Sequence, residues 1–204
     1  LPGRASYSAA ELHAAAHEAQ RFHRLTAAHC RASESMKLAV EAGINLMEHA
    51  EFLDPDEQMR FDPQIAAMLS EAGTWISPTL QAWTNYPRIA ALESLTDPTE
   101  AQLKELDKWR QRAESRLDIM RRLLEYDGIK SRTVPGTDSG VGAIAFGHLD
   151  YDLRLLVQVG FSPAEAFASA TRVSAEAIGM GAELGTLEPG KIADMAAFLG
   201  DPNR

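Results

Sequence analysis

Leu25-Thr26-Ala27-Ala28-His29 and, after a helical interval, Ala42-Gly43-Ile44-Asn45-Leu46-Met47-Glu48-His49 are the stretches whose reading decides the fold. Each is a short, mostly apolar run ending in histidine, as a strand of a buried sheet would be. Between them, residues 33–42 have helical spacing, and Gly43 supplies the residue type that stops a helix in the left-handed conformation. The pattern recurs, with residues 44–48 as a strand, Asp62-Pro63 as N-cap and first position of a helix ending at Gly73, and residues 74–77 as a strand ended by Pro78. Upstream, Ser8-Ala9-Ala10-Glu11 is a capping box opening an Ala-rich helix to about His23. Downstream, a charged helix is expected over 97–126, closed by Asp127-Gly128, then a strand over 132–137 and a helix over 149–159. Ser162-Pro163-Ala164-Glu165 combines cap, N1 proline and N3 glutamate, and starts one more helix. Alternating strands and helices imply a parallel sheet, and four such β-α units are half of a closed eightfold barrel. After Gly179 a turn, Gly185-Thr186-Leu187-Glu188-Pro189-Gly190-Lys191, and an apolar run over 195–199 read as a strand of another layer. The expected division is therefore 1–180 and 181–204.

Composition excludes several function classes. With 204 residues, 45% hydrophobic and 24% charged, the chain can bury a core. A formal net charge of −9 without any Lys/Arg cluster repels polyanions, so no nucleic acid is expected as a partner. Charges or glycines interrupt every apolar run before the roughly 20 residues a membrane helix needs. A single cysteine, Cys30, precludes an internal disulfide framework and fits a reducing compartment, so a cytoplasmic location is expected. The opening Leu1-Pro2-Gly3-Arg4 resembles neither a signal peptide nor a natural start, so a preceding segment is expected.

In parallel α/β barrels the chemistry sits at the C-terminal ends of strands. His29, His49 and Asp138 stand there, ending or following three of the expected strands. Two imidazoles and one carboxylate are a common zinc set with a position left for water, whose pKa falls to about 7. The plainer readings are hydrogen-bonded structural histidines, and an Asp138 that merely turns the chain within Gly136-Thr137-Asp138-Ser139-Gly140. Trp83, Asn85, Tyr86 and Arg88 fall in the loop after the third strand, where Tyr86 and Arg88 can grip a substrate carboxylate or simply cover the rim. His148 is a substrate contact or a plain helix-start residue. Cys30 reads as packing, His13 and His17 as solvent-facing, and the mixed-sign run over 100–122 as a solvated helix face.

The quoted runs resemble the amidohydrolase superfamily. The likeness continues through Ile76-Ser77-Pro78-Thr79-Leu80, Pro135-Gly136-Thr137-Asp138-Ser139-Gly140, Gly160-Phe161-Ser162-Pro163-Ala164-Glu165-Ala166 with Ala170-Thr171, and Gly185-Thr186-Leu187-Glu188-Pro189-Gly190-Lys191-Ile192-Ala193-Asp194. It covers essentially the whole chain and is nearest to imidazolonepropionase-like and prolidase-like members. The resemblance implies a (β/α)8 TIM barrel, with residues 1–180 as its last four units and 181–204 as the beginning of a small β-sandwich domain. It implies that His29 and His49 match the metal-binding histidines of the fifth and sixth strands. Asp138 matches the eighth-strand aspartate that binds metal, takes a proton from the bridging hydroxide and delivers it to the leaving amine. The implied cofactor is Zn2+, one or two ions. The implied reaction is hydrolysis of a C–N bond in a small-molecule amide, a dipeptide or a cyclic amide. The family's His-x-His pair and its lysine ligand are not in this chain. The alternative is therefore a catalytically incomplete fragment acting as a structural or interaction module. Open sheet edges lead to the expectation of a homo-oligomer or of pairing with the missing N-terminal half.

Overall fold

A computed structural model describes residues 2–141, 144–197, 199 and 200. The architecture is α/β. Helix α1 (Ala9–Arg21) opens with the expected capping box: Ser8 Oγ accepts from the Glu11 amide while the Glu11 carboxylate accepts from Ser8 N–H at 2.8 Å. Strands β1 (Ala27–Ala32), β2 (Leu46–Leu53) and β3 (Trp75–Ser77) form one parallel sheet in the order β1-β2-β3. The crossovers are α2 (Ser33–Glu41) and α3 (Pro63–Ala72). Asp62 caps α3, Pro63 occupies its first position, and Gly73 stops it at φ 68°. Beyond β3 come α4 (Leu80–Thr84), α5 (Tyr86–Glu93), α6 (Glu100–Leu123), α7 (Leu149–Gln158), α8 (Pro163–Ala168), a π-helical turn (Ser169–Val173) and α9 (Ser174–Ala177).

The sheet's two faces follow from its register. Ala28, Met47 and Ile76 are partners across the three strands, and their side chains pack with Met36 and Ala39 of α2 and Ile65, Ala66 and Leu69 of α3 in the main core. Alternation sends the next row, His29, Glu48 and Ser77, to the other face, where all three line a cavity. The strands begin later than expected. Thr26 and Asn45 exchange bonds, Thr26 N–H to Asn45 Oδ1 at 2.9 Å and Asn45 N–H to Thr26 Oγ1 at 3.1 Å, which closes the entrance to β1 and β2 before the ladder starts. His29 and His49 consequently lie within strands, not at their ends.

The expected fourth strand over 132–137 reduces to one parallel bridge, Ile76 to Thr133, with Val134 N–H donating to the Ile76 carbonyl at 2.9 Å. The next rung in this register needs an amide hydrogen at position 78, and proline has none. Of the residues expected in a loop, Trp83 lies on α4, Tyr86 and Arg88 on α5, and Asn85 between the two helices. No strand forms over 195–197, and Phe198 of that expected strand lies outside the described residues. No helix among the described residues is long and apolar enough to cross a membrane.

Helix α6 is shorter than expected, with Thr99 and Gln102 forming its capping box, and it is not simply a solvated helix. Leu106, Ala113, Leu117, Met120 and Leu123 bury one stripe, and Arg116 falls within that stripe with 0% exposure. Helix α4 starts without a side-chain cap of its own, because Thr79 is left-handed. Asp152 of α7 substitutes, its Oδ1 accepting from Leu80 N–H at 2.8 Å, while Gln81 Nε2 donates to the His148 carbonyl at 3.1 Å. Burial pushes the Asp152 carboxyl up to about 7, against the amides of Leu80 and Gln81 and the charge of Arg116, which act the other way.

Two outcomes are expected. A Cβ at Gly136 would stand 2.4 Å from Ser77 Oγ and 3.1 Å from Thr79 Cγ2, so Gly136→Ala pushes the segment carrying Asp138 away from β3. Urea melts should show a loss of about 1–3 kcal/mol. Asp152 holds a proton in the folded state that the unfolded chain releases, so its contribution to stability falls as pH rises from about 4 to about 7. Asp152→Asn should therefore remove a decline on the order of a few kcal/mol between pH 5 and pH 8, read as the difference between the two proteins' melts.

Candidate functional site

The cavity on the inner face of the sheet, about 570 Å³, is lined by His29, Glu48, His49, Ser77, Thr79, Gly136, Asp138 and Ser174, with Leu46, Val134 and Ile178 as apolar wall. His29 reaches it by the ordinary alternation of β1. His49 does not. It pairs with Cys30, whose side chain is in the core, so a regular β2 would turn its ring the same way. Instead the backbone enters the left-handed region at His49 (φ 71°) and Ala50 (φ 46°), the register with β1 shifts, and the imidazole swings to the inner face. There Nε2 of His49 meets Nδ1 of His29 at 2.7 Å, with the rings edge to face.

The other edge of the His49 ring is held from two sides. Nδ1 lies 2.6 Å from Thr79 Oγ1 and 2.8 Å from Trp83 Nε1. An indole N–H only donates, so in this arrangement Nδ1 accepts it and the ring proton sits on Nε2, facing His29. Freeing the Nε2 lone pair for a ligand moves the proton to Nδ1, where the Thr79 oxygen stands ready to accept it. Burial depresses the His49 pKa to about 3, helped by the charges of His29, Arg116 and Arg31, so the ring is neutral at physiological pH. A neutral imidazole is the form that binds metals.

Behind the ring stands a charged network. The Arg31 guanidinium stacks 4.1 Å from the Trp83 ring centroid and donates through Nε to the buried Glu51 carboxylate at 2.6 Å. Arg112 donates to the other Glu51 oxygen at 2.7 Å. Arg116 donates to the backbone carbonyls of His49, Ala50 and Pro78. Three residues lining the cavity, His49, Thr79 and Asp138, all have positive φ, 71°, 47° and 51°. Each such non-glycine residue costs about 1–3 kcal/mol and persists only where its surroundings enforce it.

The donors suit a divalent ion in type, two imidazoles and a carboxylate on one cavity wall. Among the described residues, however, no three of His, Cys, Asp and Glu are grouped closely enough to hold an ion. The two histidine nitrogens touch each other, nearer than two ligands on one tetrahedral zinc, which stand about 3.3 Å apart for bonds near 2.0 Å. A shared ion thus requires the rings to part slightly.

The remaining expected site residues lie outside this cavity's lining. Arg88 is held by Glu105 through two bonds of 2.7 and 2.8 Å. Tyr86 and His148 both pack on Tyr151, with ring centroids 5.2 Å apart in each case. Cys30 is buried, donates to the Ser35 carbonyl, and is pushed up to about 11 by desolvation, which suits packing and not nucleophilic chemistry. Sequence reasoning missed Thr79, Glu48, Ser174, Glu51 and Arg116. Glu48 and Thr79 fall within stretches quoted from the sequence without being singled out, and Arg116 is a charge at i+3 from Ala113 and i−4 from Met120 on the apolar stripe of its helix.

Comparison with known proteins places the fold and the family. Among solved structures, the chain is similar to a Xaa-Pro dipeptidase with methionine bound in its active site, at 24% identity and TM-score 0.72, covering 97% of this chain and 44% of that one. It is similar to a putative prolidase from Bifidobacterium longum, at 26% identity and TM-score 0.70, covering 95% of this chain and 46% of that one. A third is A. niger ochratoxinase, at 23% identity and TM-score 0.69, covering 95% of this chain and 39% of that one. The chain therefore spans less than half the length of each of these structures. No curated protein matches it in sequence. The sequence profile of the Amidohydrolase family matches residues 1–204, every position of the chain, and the chain belongs to that family.

Proposed function

We propose that the complete protein is a metal-dependent hydrolase cleaving the C–N bond of a dipeptide or a cyclic amide, with His29, His49 and Asp138 as ligands to one or two zinc ions. The observation that carries this reading is the meeting of His29 Nδ1 and His49 Nε2, at 2.7 Å, on the wall of a cavity that Asp138 also lines. The 26% identical structure is described as a putative prolidase, and another neighbour, at 23% identity, is a prolidase complexed with N-methylphosphonate-L-proline. These descriptions favour a dipeptide over a cyclic amide here. In the same reading, residues 1–180 supply the last four units of an eightfold barrel and 181–204 open a β-sandwich domain. The open edges then pair with the N-terminal half or with another copy.

A bound zinc ion would polarise the scissile carbonyl and acidify the attacking water. The chain's own residues do the rest. With Nε2 given to a metal and the ring proton moved to Nδ1, Thr79 would fix the His49 ring by accepting from Nδ1, the bond such an imidazole commonly makes on its outer side. The Asp138 carboxylate accepts a proton as water adds to the carbonyl carbon and returns it to the amine nitrogen as the C–N bond breaks. Tyr86 and His148, both packed on Tyr151, lie beyond the cavity lining, and Arg88 reaches a substrate carboxylate only by leaving Glu105.

A second reading, that this chain alone is catalytically incomplete and serves as a structural or interaction module, is favoured by the lack of a three-ligand group among the described residues. Turnover of Xaa-Pro dipeptides and cyclic amides by the full-length protein loaded with zinc separates the two. Asp138→Asn should lower kcat by roughly 10²–10⁴ with little change in KM, because an amide cannot carry the proton. His49→Ala should instead lose zinc, measured by metal content after dialysis. Near-normal kcat for Asp138→Asn at saturating zinc would remove the proton-carrying role. Absence of both zinc and turnover in the unaltered protein would leave the second reading standing.

A further inference from the structure

We propose that Arg116 is a positioning residue for His49, the clamp that holds the β2 backbone in the turn that brings this imidazole to His29. The residue is fully buried on α6, yet it is not spent on packing. Its Nη1 donates to the Ala50 carbonyl at 3.2 Å, and its Nη2 donates to the His49 carbonyl and, at 3.2 Å, to the Pro78 carbonyl. The first two are the peptide groups of the two left-handed residues that turn the ring. The third is the residue before Thr79, whose hydroxyl meets the same ring. One planar fork thus fixes both the strand that bears the imidazole and the turn that orients it.

Ordinary stability does not account for such a residue. Removing a guanidinium from water costs several kcal/mol, and buried ionic groups are often replaceable by apolar ones without loss. Its Nε has no hydrogen-bond partner, so the group is not optimally satisfied for its own sake. The nearby charges are Glu51, Asp152 and Arg112, and Glu51 is already bonded to Arg31 and Arg112. What Arg116 supplies is donors to the carbonyls of His49 and Ala50, where the β1-β2 register breaks, and of Pro78, which follows β3.

The proposal rests on the zinc reading above only for its second readout. The first is the pattern of histidine ring nitrogens in the metal-free full chain, labelled with nitrogen-15 and observed by NMR. His49 should show a single tautomer in the unaltered protein. In Arg116→Met its two ring nitrogens should average toward each other, with Arg116→Lys, which keeps the charge but not the fork, in between. Calorimetry with zinc is the second readout, and Arg116→Met should bind roughly 10–100-fold more weakly, with partial rescue by lysine. If Arg116→Met does not fold, Arg116→Lys carries the same comparison. A variant that melts earlier but keeps one His49 tautomer and a zinc affinity within about twofold would show a merely structural arginine and overturn the proposal. If the unaltered protein binds no zinc, the metal reading fails by itself, and the ring-nitrogen pattern still decides for or against Arg116.

Discussion

The constraint on which the site depends is that β2 cannot run as a regular strand past Glu48. A pleated continuation would put His49 on the same side as Cys30, in the core, with His29 on the opposite face. Two consecutive left-handed residues break that alternation and place two imidazoles edge to face in one cavity. Everything nearby reads as support for this break. Carbonyls freed by the irregular backbone find the Arg116 fork, the rotated ring finds Thr79 and Trp83, and Trp83 is pressed by Arg31, whose charge is met by Glu51.

That support is electrostatically expensive. Glu51, Arg116 and Asp152 are all at 0% exposure, and desolvation moves Asp152 and Arg116 toward their neutral forms. Glu51 is the hub, bonded by Arg31 on β1 and Arg112 on α6. Replacing buried ionic groups of this kind by apolar ones is often neutral for stability, whereas removing one partner is costly. Here they tie a long helix to the inner edge of a short sheet.

Much of this was legible in the sequence where a local rule decides the outcome. Ser8 with Glu11, Asp62-Pro63 with Gly73, and Ser162 with Glu165 each specify a helix terminus through their own side chains, and each is observed. Pairing two histidine-bearing strands in one parallel sheet also followed from periodicity. What stayed hidden depends on contacts far along the chain. Helices α4 and α5 escaped because Thr79 and Asn85 introduce them in left-handed conformations without side-chain caps. Residues 132–137 look like a strand until the proline opposite them removes the next rung. Arg116 sits among so many exposed charges that one buried cation does not stand out. The rotation of His49 has no sequence signature, since no glycine or asparagine marks positions 49 and 50.

The spacing between Arg116 and its acceptors sets the order in which the molecule can be assembled. His49 and Ala50 precede the arginine by 67 and 66 residues, and Pro78 precedes it by 38. On a ribosome, β2 and β3 therefore emerge well before α6 exists. Before that helix docks, the left-handed backbone at His49 and Ala50 lacks the Arg116 donors and is supported at the ring by Thr79 and Trp83. The histidine pair therefore gains its full backbone support only from a helix far along the sequence.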